Sequence, residues 1–192
     1  AIVGFSDKAM KAIETAKLPR TFFDVRDMAK GYANNAFPYT PPVGLMNGLK
    51  LSLEMIEAEG LENVFARHHR IAEGVRRAVA AWGLKLCAAS PEVYSDSVSA
   101  IRTPEGFNAT DIVTVAARDY GMAFGVGLGE VAGKVFRIGH LGSLTDAMML
   151  SGLATAEMVM VDLGLDIKLG SGVAAAQDYY RLGSGKSSRL AA

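Results

Sequence analysis

Cysteine is nearly absent from this sequence of 192 residues, which contains only Cys87. A lone cysteine excludes an internal disulfide framework and a cysteine-rich zinc site, and it fits a reducing, cytoplasmic compartment. An excess of charge is also missing, since 20 Lys and Arg residues balance 20 Asp and Glu residues. This balance argues against a nucleic-acid partner. No apolar run reaches the roughly 18–20 residues of a membrane span, so we expect no membrane partner.

Histidines are also few, and their spacing does not suit a metal site. His68 and His69 are neighbours in a predicted helix, so their side chains diverge, and His140 stands alone. We therefore predict no metal. The composition is otherwise that of a globular protein of one or two domains, with 50% hydrophobic and 21% charged residues. The first residue is Ala rather than Met, so we expect a chain processed or cut from a longer one.

The first 83 residues read as one short strand followed by helices. Residues 1–5 are apolar and predict a strand, and Ser6 is a candidate cap for the helix that runs toward Pro19. Several Asn and Pro residues make regular structure unlikely at positions 34–44. A long helical region follows, which Gly60 bends or breaks and Gly83 ends.

After Gly83 the hydrophobic period changes, and strands alternate with helices. Residues 84–87, 98–103, 122–126 and 135–138 predict strands. Helices are predicted to begin near Asn108 or Thr110 and at Thr145. This order predicts an α/β or α+β module, with one sheet and helices packed on a face.

A glycine-rich run at residues 125–133 invites a phosphate-loop interpretation, but its spacing does not fit. A phosphate loop requires Gly where Leu128 stands, and Ser or Thr where Val135 stands. The dinucleotide pattern fails because Ala132 occupies its third glycine position. The run is therefore predicted to be a connection between strands that still allows close approach to the backbone.

Arg137 is the strongest candidate for binding. Strand alternation puts Phe136 and Ile138 on one face and Arg137 on the other, with Gly139 and Gly142 leaving space nearby. A guanidinium in a short strand without bulky neighbours suits bidentate binding of a carboxylate. A solvated arginine on an edge strand is the alternative.

The segment at residues 37–42 contains three prolines and presents two hydroxyls, those of Tyr39 and Thr40. Such hydroxyls can donate to a phosphate or a carboxylate. A purely structural turn is the alternative.

Four segments carry a family resemblance: SDKA at 6–9, FPYTPPV at 37–43, GLENVFARHH at 60–69 and GLGEVAGKVFRIGHLG at 127–142. In this order and spacing they resemble the class V, or fold-type I, pyridoxal-phosphate aminotransferases. The alanine–glyoxylate and serine–glyoxylate group is the most similar. The resemblance covers roughly residues 1–168, and the R-I-G run with its preceding G-L-G is its most specific part.

The resemblance implies a domain organisation. Residues 1–59 would be the end of the large cofactor domain, with long helices linking it to a small C-terminal domain at residues 60–169. That small domain would have a mainly antiparallel sheet with helices on one face. Residues 170–192 have no counterpart that we identify, and their Gly-, Ser- and Ala-rich composition predicts a flexible tail.

The resemblance also implies residue roles. Arg137 matches the arginine that binds the substrate carboxylate. Thr40 matches a hydroxyl that reaches the cofactor phosphate of the partner subunit in a homodimer. Phe37 stands where relatives often carry a second phosphate-binding tyrosine, and the nearby Tyr39 offers a substitute.

The lysine that forms the Schiff base in the family lies just before the strand that residues 1–5 resemble. No catalytic residue is therefore assigned in this chain, which we expect to be inactive by itself. In the intact enzyme we expect pyridoxal-phosphate-dependent transamination between serine or alanine and glyoxylate or another 2-oxo acid. The sequence leaves the choice among small amino donors open.

Two rival functions remain. One is a non-catalytic α/β module that keeps the fold for ligand binding or assembly. The other is a class V cysteine desulfurase, which needs a reactive cysteine on a mobile loop. Cys87 lies in a predicted strand instead, which disfavours the desulfurase.

Overall fold

The computed structural model describes residues 2–183 and divides the chain into two compact units, Ala1–Glu54 and Met55–Ala192. This division lies close to the predicted boundary between residues 59 and 60. That the units correspond to a cofactor domain and a small domain stays a prediction.

The first unit is built from helices, α1 (Asp7–Thr15), α2 (Val25–Ala33) and most of α3 (Val43–Glu59). Ser6 caps α1 as predicted, since its Oγ accepts a hydrogen bond from the backbone N–H of Ala9 at 3.3 Å. Asp24 caps α2 by accepting from the backbone N–H of Arg26 at 3.0 Å. The Arg26 side chain also donates to this carboxylate, which holds the pKa of Asp24 well below its usual range.

The predicted strand at the start of the chain is wrong. Residues 2–5 have no regular structure, and Ile2 and Val3 are 82% and 66% exposed. An extended segment becomes a strand only where a neighbouring strand takes up its backbone hydrogen bonds. Within residues 2–183 no strand pairs with this segment.

The second unit combines four helices with one sheet. Its helices are α4 (Leu61–Ala81), α5 (Ala109–Tyr120), α6 (Asp146–Asp162) and α7 (Ser171–Gly183). Its strands are β1 (Lys85–Leu86), β2 (Val98–Arg102), β3 (Gly125–Val126) and β4 (Val135–Gly139). The strand order is β1-β2-β4-β3, and every neighbouring pair is antiparallel. This sheet confirms the predicted fold class, an α/β chain with a mainly antiparallel sheet in its second part.

Two glycines set the helix boundaries that the sequence predicts. Gly60 has φ of 85° between α3 and α4, and Gly83 has φ of 72° directly after α4. Only glycine adopts this left-handed backbone without strain, so both helices end where the pattern indicates.

The core of the second unit lies between the sheet and its helices. Ile101 on β2 and Phe136 on β4 face each other across the sheet and are fully buried. They pack with buried side chains of α4, α5 and α6, including Val75, Ile112 and Leu153. The amphipathic pattern of α4 and α5 predicts this arrangement.

The predicted flexible tail is wrong for residues 171–183, which form α7. This helix packs against α4 and α6, and Tyr180 on it is only 3% exposed. The Tyr180 hydroxyl donates to the Ile71 backbone carbonyl at 2.8 Å, which holds its ring against α4 at Gly74. The rest of the predicted tail, residues 184–192, lies outside the described residues.

A buried carboxylate explains why a Gly- and Ala-rich segment forms α7. Glu157 on α6 accepts backbone N–H groups of Gly170 and Gly172 at 2.7 and 2.6 Å, at the N-terminus of α7. It also accepts the indole N–H of Trp82 at 2.8 Å. A negative charge at a helix N-terminus satisfies free N–H groups and complements the helix dipole.

Candidate functional site

Arg137 lies at the middle of β4, which is an internal strand of the sheet. Its direct neighbours across the sheet are Ala100 on β2 and Gly125 on β3. Phe136 and Ile138 are buried on the opposite face, which confirms the predicted alternation. Because β4 is flanked on both sides, the alternative of an arginine on an edge strand is wrong.

The guanidinium is held by one hydrogen bond, from Nε of Arg137 to the Val126 carbonyl at 2.9 Å. Gly125 makes this packing possible, because a Cβ there would lie 3.1 Å from both Cβ and Nε of Arg137. No carboxylate among residues 2–183 forms an ion pair with the guanidinium. A half-buried, oriented arginine without a protein anion suits a carboxylate ligand.

Arg137 lies outside two clefts of the second unit, of about 880 and 620 Å³. Its direct neighbours are instead Ala100 and Gly125, on the face of the sheet opposite to Phe136 and Ile138. Carboxylate binding by Arg137 therefore stays a prediction.

Tyr39 and Thr40 lie in the irregular segment between α2 and α3, as the prolines predict. The Tyr39 ring packs against Phe22 with centroids 4.5 Å apart, which orients the phenol. Across the described chain neither hydroxyl has a hydrogen-bond partner, and both side chains are exposed. Both hydroxyls are thus available to donate to a phosphate. They belong to the first unit and Arg137 belongs to the second.

His140 is a functional candidate that the sequence reasoning missed. It is fully buried, with Nε2 3.0 Å from the Ser99 Oγ and Nδ1 3.0 Å from the Asp96 carbonyl. Burial lowers the pKa of its imidazole and so favours the neutral form. Alternation was the available signal, because His140 directly follows β4 and continues the two-residue spacing of the buried Phe136 and Ile138. His140 fixes the end of the strand that carries Arg137.

The turn after β4 is hydrogen-bonded to α4. Gly142 donates its N–H to His68 Nε2 at 3.0 Å, and its carbonyl accepts from Arg67 at 2.7 Å. Arg67 also donates to Glu59 at 2.6 Å, which lowers the pKa of the Glu59 carboxyl. These contacts place the turn near Arg137 at a fixed position on the second unit.

Residues 2–183 lack two features, a cluster of metal ligands and a membrane-spanning helix. No group of three or more His, Cys, Asp or Glu side chains there is arranged to hold a metal ion. No helix in that range is long and apolar enough to cross a bilayer.

Curated relatives match the whole chain. It is 74% identical over 192 residues to the L-aspartate–glyoxylate aminotransferase of Paracoccus denitrificans (strain Pd 1222), of which it covers 48%. It is 50% identical over 188 residues, or 97% of its length, to the serine–glyoxylate aminotransferase of Hyphomicrobium methylovorum, of which it covers 46%. The chain thus spans about half the length of the curated relatives it matches. No family model matches it.

Solved structures show the same arrangement of elements. The pyridoxamine–pyruvate aminotransferase of Mesorhizobium loti superposes with a TM-score of 0.83 at 32% identity, over 94% of this chain and 47% of that one. The ureidoglycine–glyoxylate aminotransferase of Bacillus subtilis superposes with a TM-score of 0.81 at 22% identity, over 92% and 46% of the two chains. The second likeness concerns the fold alone.

Proposed function

Because this chain belongs to the class V (fold-type I) aminotransferases and matches their C-terminal portion, we propose that it is part of a pyridoxal-phosphate enzyme that transfers an amino group to glyoxylate. The Arg137 geometry carries the proposal, since this guanidinium is oriented by the sheet and has no protein anion in the described residues. Relatives named as glyoxylate aminotransferases support the acceptor.

Arg137 binds the α-carboxylate of the incoming amino acid or 2-oxo acid. The bond from its Nε to the Val126 carbonyl fixes the plane of the guanidinium, so both terminal nitrogens can face one carboxylate. Fixing the carboxylate orients the α-carbon, and such orientation lowers the entropic part of the barrier. The neighbouring residue on β2, Ala100, is small, and Gly125 on β3 makes room for the arginine side chain itself.

Two residues of the first unit, Tyr39 and Thr40, are suited to bind a phosphate group. Thr40 and Tyr39 present hydroxyls without partners in the part of the chain that the structure describes, and stacking on Phe22 stiffens the segment. In a homodimer, Thr40 would donate to the cofactor phosphate bound by the partner subunit. Pyridoxal phosphate, when bound, supplies the electron sink that stabilises charge at the substrate α-carbon.

The Schiff-base lysine is assigned to a segment outside these residues, so the 192-residue chain alone should not transaminate. Pyridoxal phosphate, serine and glyoxylate added to the purified chain should give no glycine, measured by chromatography.

The single cysteine favours a cytoplasmic enzyme.

The amino donor has three candidates. Serine or alanine follows from the family resemblance, and serine is the donor named for the 50% identical relative. The 74% identical relative is named for L-aspartate, which favours aspartate as the donor. All three present the α-carboxylate that Arg137 would bind, so the donor is settled by comparing kcat/KM for the three amino acids in the intact enzyme.

The test is Arg137→Ala in the full-length enzyme that carries these residues. Loss of about 1.5–4 kcal/mol of charge-assisted contact should raise KM for donor and glyoxylate about 10- to 1,000-fold. Arg137→Lys should give KM values between those of the unchanged enzyme and Arg137→Ala. Lysine keeps the positive charge but lacks the paired N–H donors of the guanidinium. Lys134→Ala, an exposed neighbour that precedes β4, is the matched control. Kinetics unchanged by Arg137→Ala would refute the assignment.

A further inference from the structure

The cleft of about 880 Å³ lies on the second unit, between α4 and the segment at residues 84–94. Its polar lining is dominated by positive charge, from four cations: Arg76, Arg77, Lys85 and Arg102. Glu73 is the one carboxylate among the described residues that line it. A concave surface with this excess of cations attracts anions.

Two of the four cations already have protein partners. Glu73 lies 3.0 Å from Arg77 Nε and 3.7 Å from Arg76 Nη1. Asp96 lies 2.5 Å from Arg76 Nη2. In contrast, no ion pair involves Lys85 or Arg102 within residues 2–183. Two exposed positive charges therefore remain at the cleft without a protein anion.

These two free cations lie directly opposite each other. Lys85 on the edge strand β1 pairs with Arg102 on β2, so both side chains leave the same face of the sheet. Like charges at such a position repel each other and destabilise the pair of strands. An anion bound between them converts that repulsion into two attractive contacts.

The wall of the cleft also contains the side chain of Arg76. The Nε of Arg76 is buried and has no hydrogen bond in the described structure, although the Arg76 side chain is only 11% exposed. Because this N–H is buried it makes no direct contact in the cleft, and Arg76 contributes its positive charge to the wall. The Tyr94 ring lies beside the Arg76 guanidinium, with its centroid 5.4 Å from Cζ, and supplies aromatic surface.

We propose that this cleft binds a small metabolite through a phosphate monoester group. The dianionic group matches the two free charges of Lys85 and Arg102, and the Tyr94 ring in the lining of the cleft offers surface for the organic part. A single carboxylate carries one charge and matches them less well. The proposal concerns an accessory site and does not depend on the transamination proposed above.

The test is isothermal titration calorimetry of the intact protein with inorganic phosphate and with glycerol 3-phosphate, at constant ionic strength. The protein is first loaded with pyridoxal phosphate and then freed of unbound cofactor by gel filtration. The proposed cofactor site is then filled, and no free phosphate monoester competes for the cleft. We expect saturable binding of both probes. The double variant Lys85→Ala/Arg102→Ala should weaken it at least about tenfold, because two charged contacts are lost.

The matched control is Lys134→Ala/Lys168→Ala, which removes two exposed lysines outside the cleft and should leave the affinity unchanged. Lys85→Arg should retain binding, which separates the role of charge from a folding defect. Absence of saturable phosphate binding, or equal affinity in the double variant, overturns the proposal. Tighter binding of succinate than of both phosphate probes overturns the phosphate assignment. Calorimetry measures binding independently of catalysis. A negative result here therefore does not bear on the transamination hypothesis, which is tested separately by Arg137→Ala.

Discussion

The two units of the chain contain similar residues and use them differently. Helices α1, α2 and α3 contain no buried residue, and Leu45 and Leu53 on α3 are 77% and 54% exposed. In the second unit, α6 is equally apolar, yet Leu153 and Met160 on it are fully inaccessible to solvent. A helix that is apolar on every side is normally buried. What separates α3 from α6 is therefore a covering surface, which α6 has within its own unit.

The difference indicates what each unit needs in order to fold. Burial of apolar surface provides most of the free energy of folding, and isolated helices of this length are marginal in water. The second unit buries its sheet face and helices against one another. The first unit leaves its apolar side chains open, which supports its assignment to a larger cofactor domain whose remaining surface would cover them.

Separate production of the two units gives the largest expected effect. Residues 55–192 should unfold in one cooperative urea transition, because their core is complete. Residues 1–54 should show mostly unfolded circular dichroism, because they bury almost no apolar side chain. Cooperative unfolding of residues 1–54 alone would contradict this contrast, and so would a disordered 55–192 fragment.

Gly74→Ala should damage the second unit next most strongly. A Cβ on Gly74 in α4 would lie 2.2 Å from Cζ and Oη of Tyr180, which is locked in place by its bond to Ile71. We expect a loss of about 1–3 kcal/mol in the free energy of unfolding, from overpacking of α4 against α7. Chemical denaturation of both proteins measures this difference in the free energy of unfolding.

Gly152→Ala is the matched control for this overpacking. Gly152 is also a buried helical glycine of the second unit, but a Cβ there would meet no atom within 4 Å. Its replacement should not reproduce the loss. Equal destabilisation by Gly74→Ala and Gly152→Ala would show that contact with Tyr180 is not the cause.

Local signals in the sequence were sufficient for much of the second unit. The turns at Gly60 and Gly83 and the orientation of Arg137 depend on backbone freedom and on strand alternation, and both can be read from neighbouring residues. Helix α7 could not be read in this way. Its N-terminus depends on Glu157, which is close in space but lies 13 residues before Gly170. A Gly- and Ala-rich segment looks mobile until such a distant partner is known.

His140 offers a smaller effect that depends on pH. Burial lowers its pKa in the folded state below the ordinary value of 6.5, so the unfolded chain binds this proton more readily. The contribution to stability is therefore complete above pH 6.5 and is lost as the pH falls below that value. His140→Gln should flatten this part of the pH profile of the unfolding free energy. A profile that is the same in both proteins would contradict a neutral buried imidazole.

Gly48→Ala tests the open surface of the first unit, and its expected effect is the smallest. Gly48 lies inside α3, is exposed, and would place a Cβ in open space. In the 192-residue chain the change should raise helix content on circular dichroism and stabilise α3 by about 0.5–1 kcal/mol, since alanine loses less backbone entropy. If α3 is covered in the full-length enzyme, the added methyl group meets that surface, and the same change should lose its benefit or become destabilising there. A stabilisation of equal size in both proteins would mean that this side of α3 stays exposed, and the two units would then differ for a reason other than a missing cover.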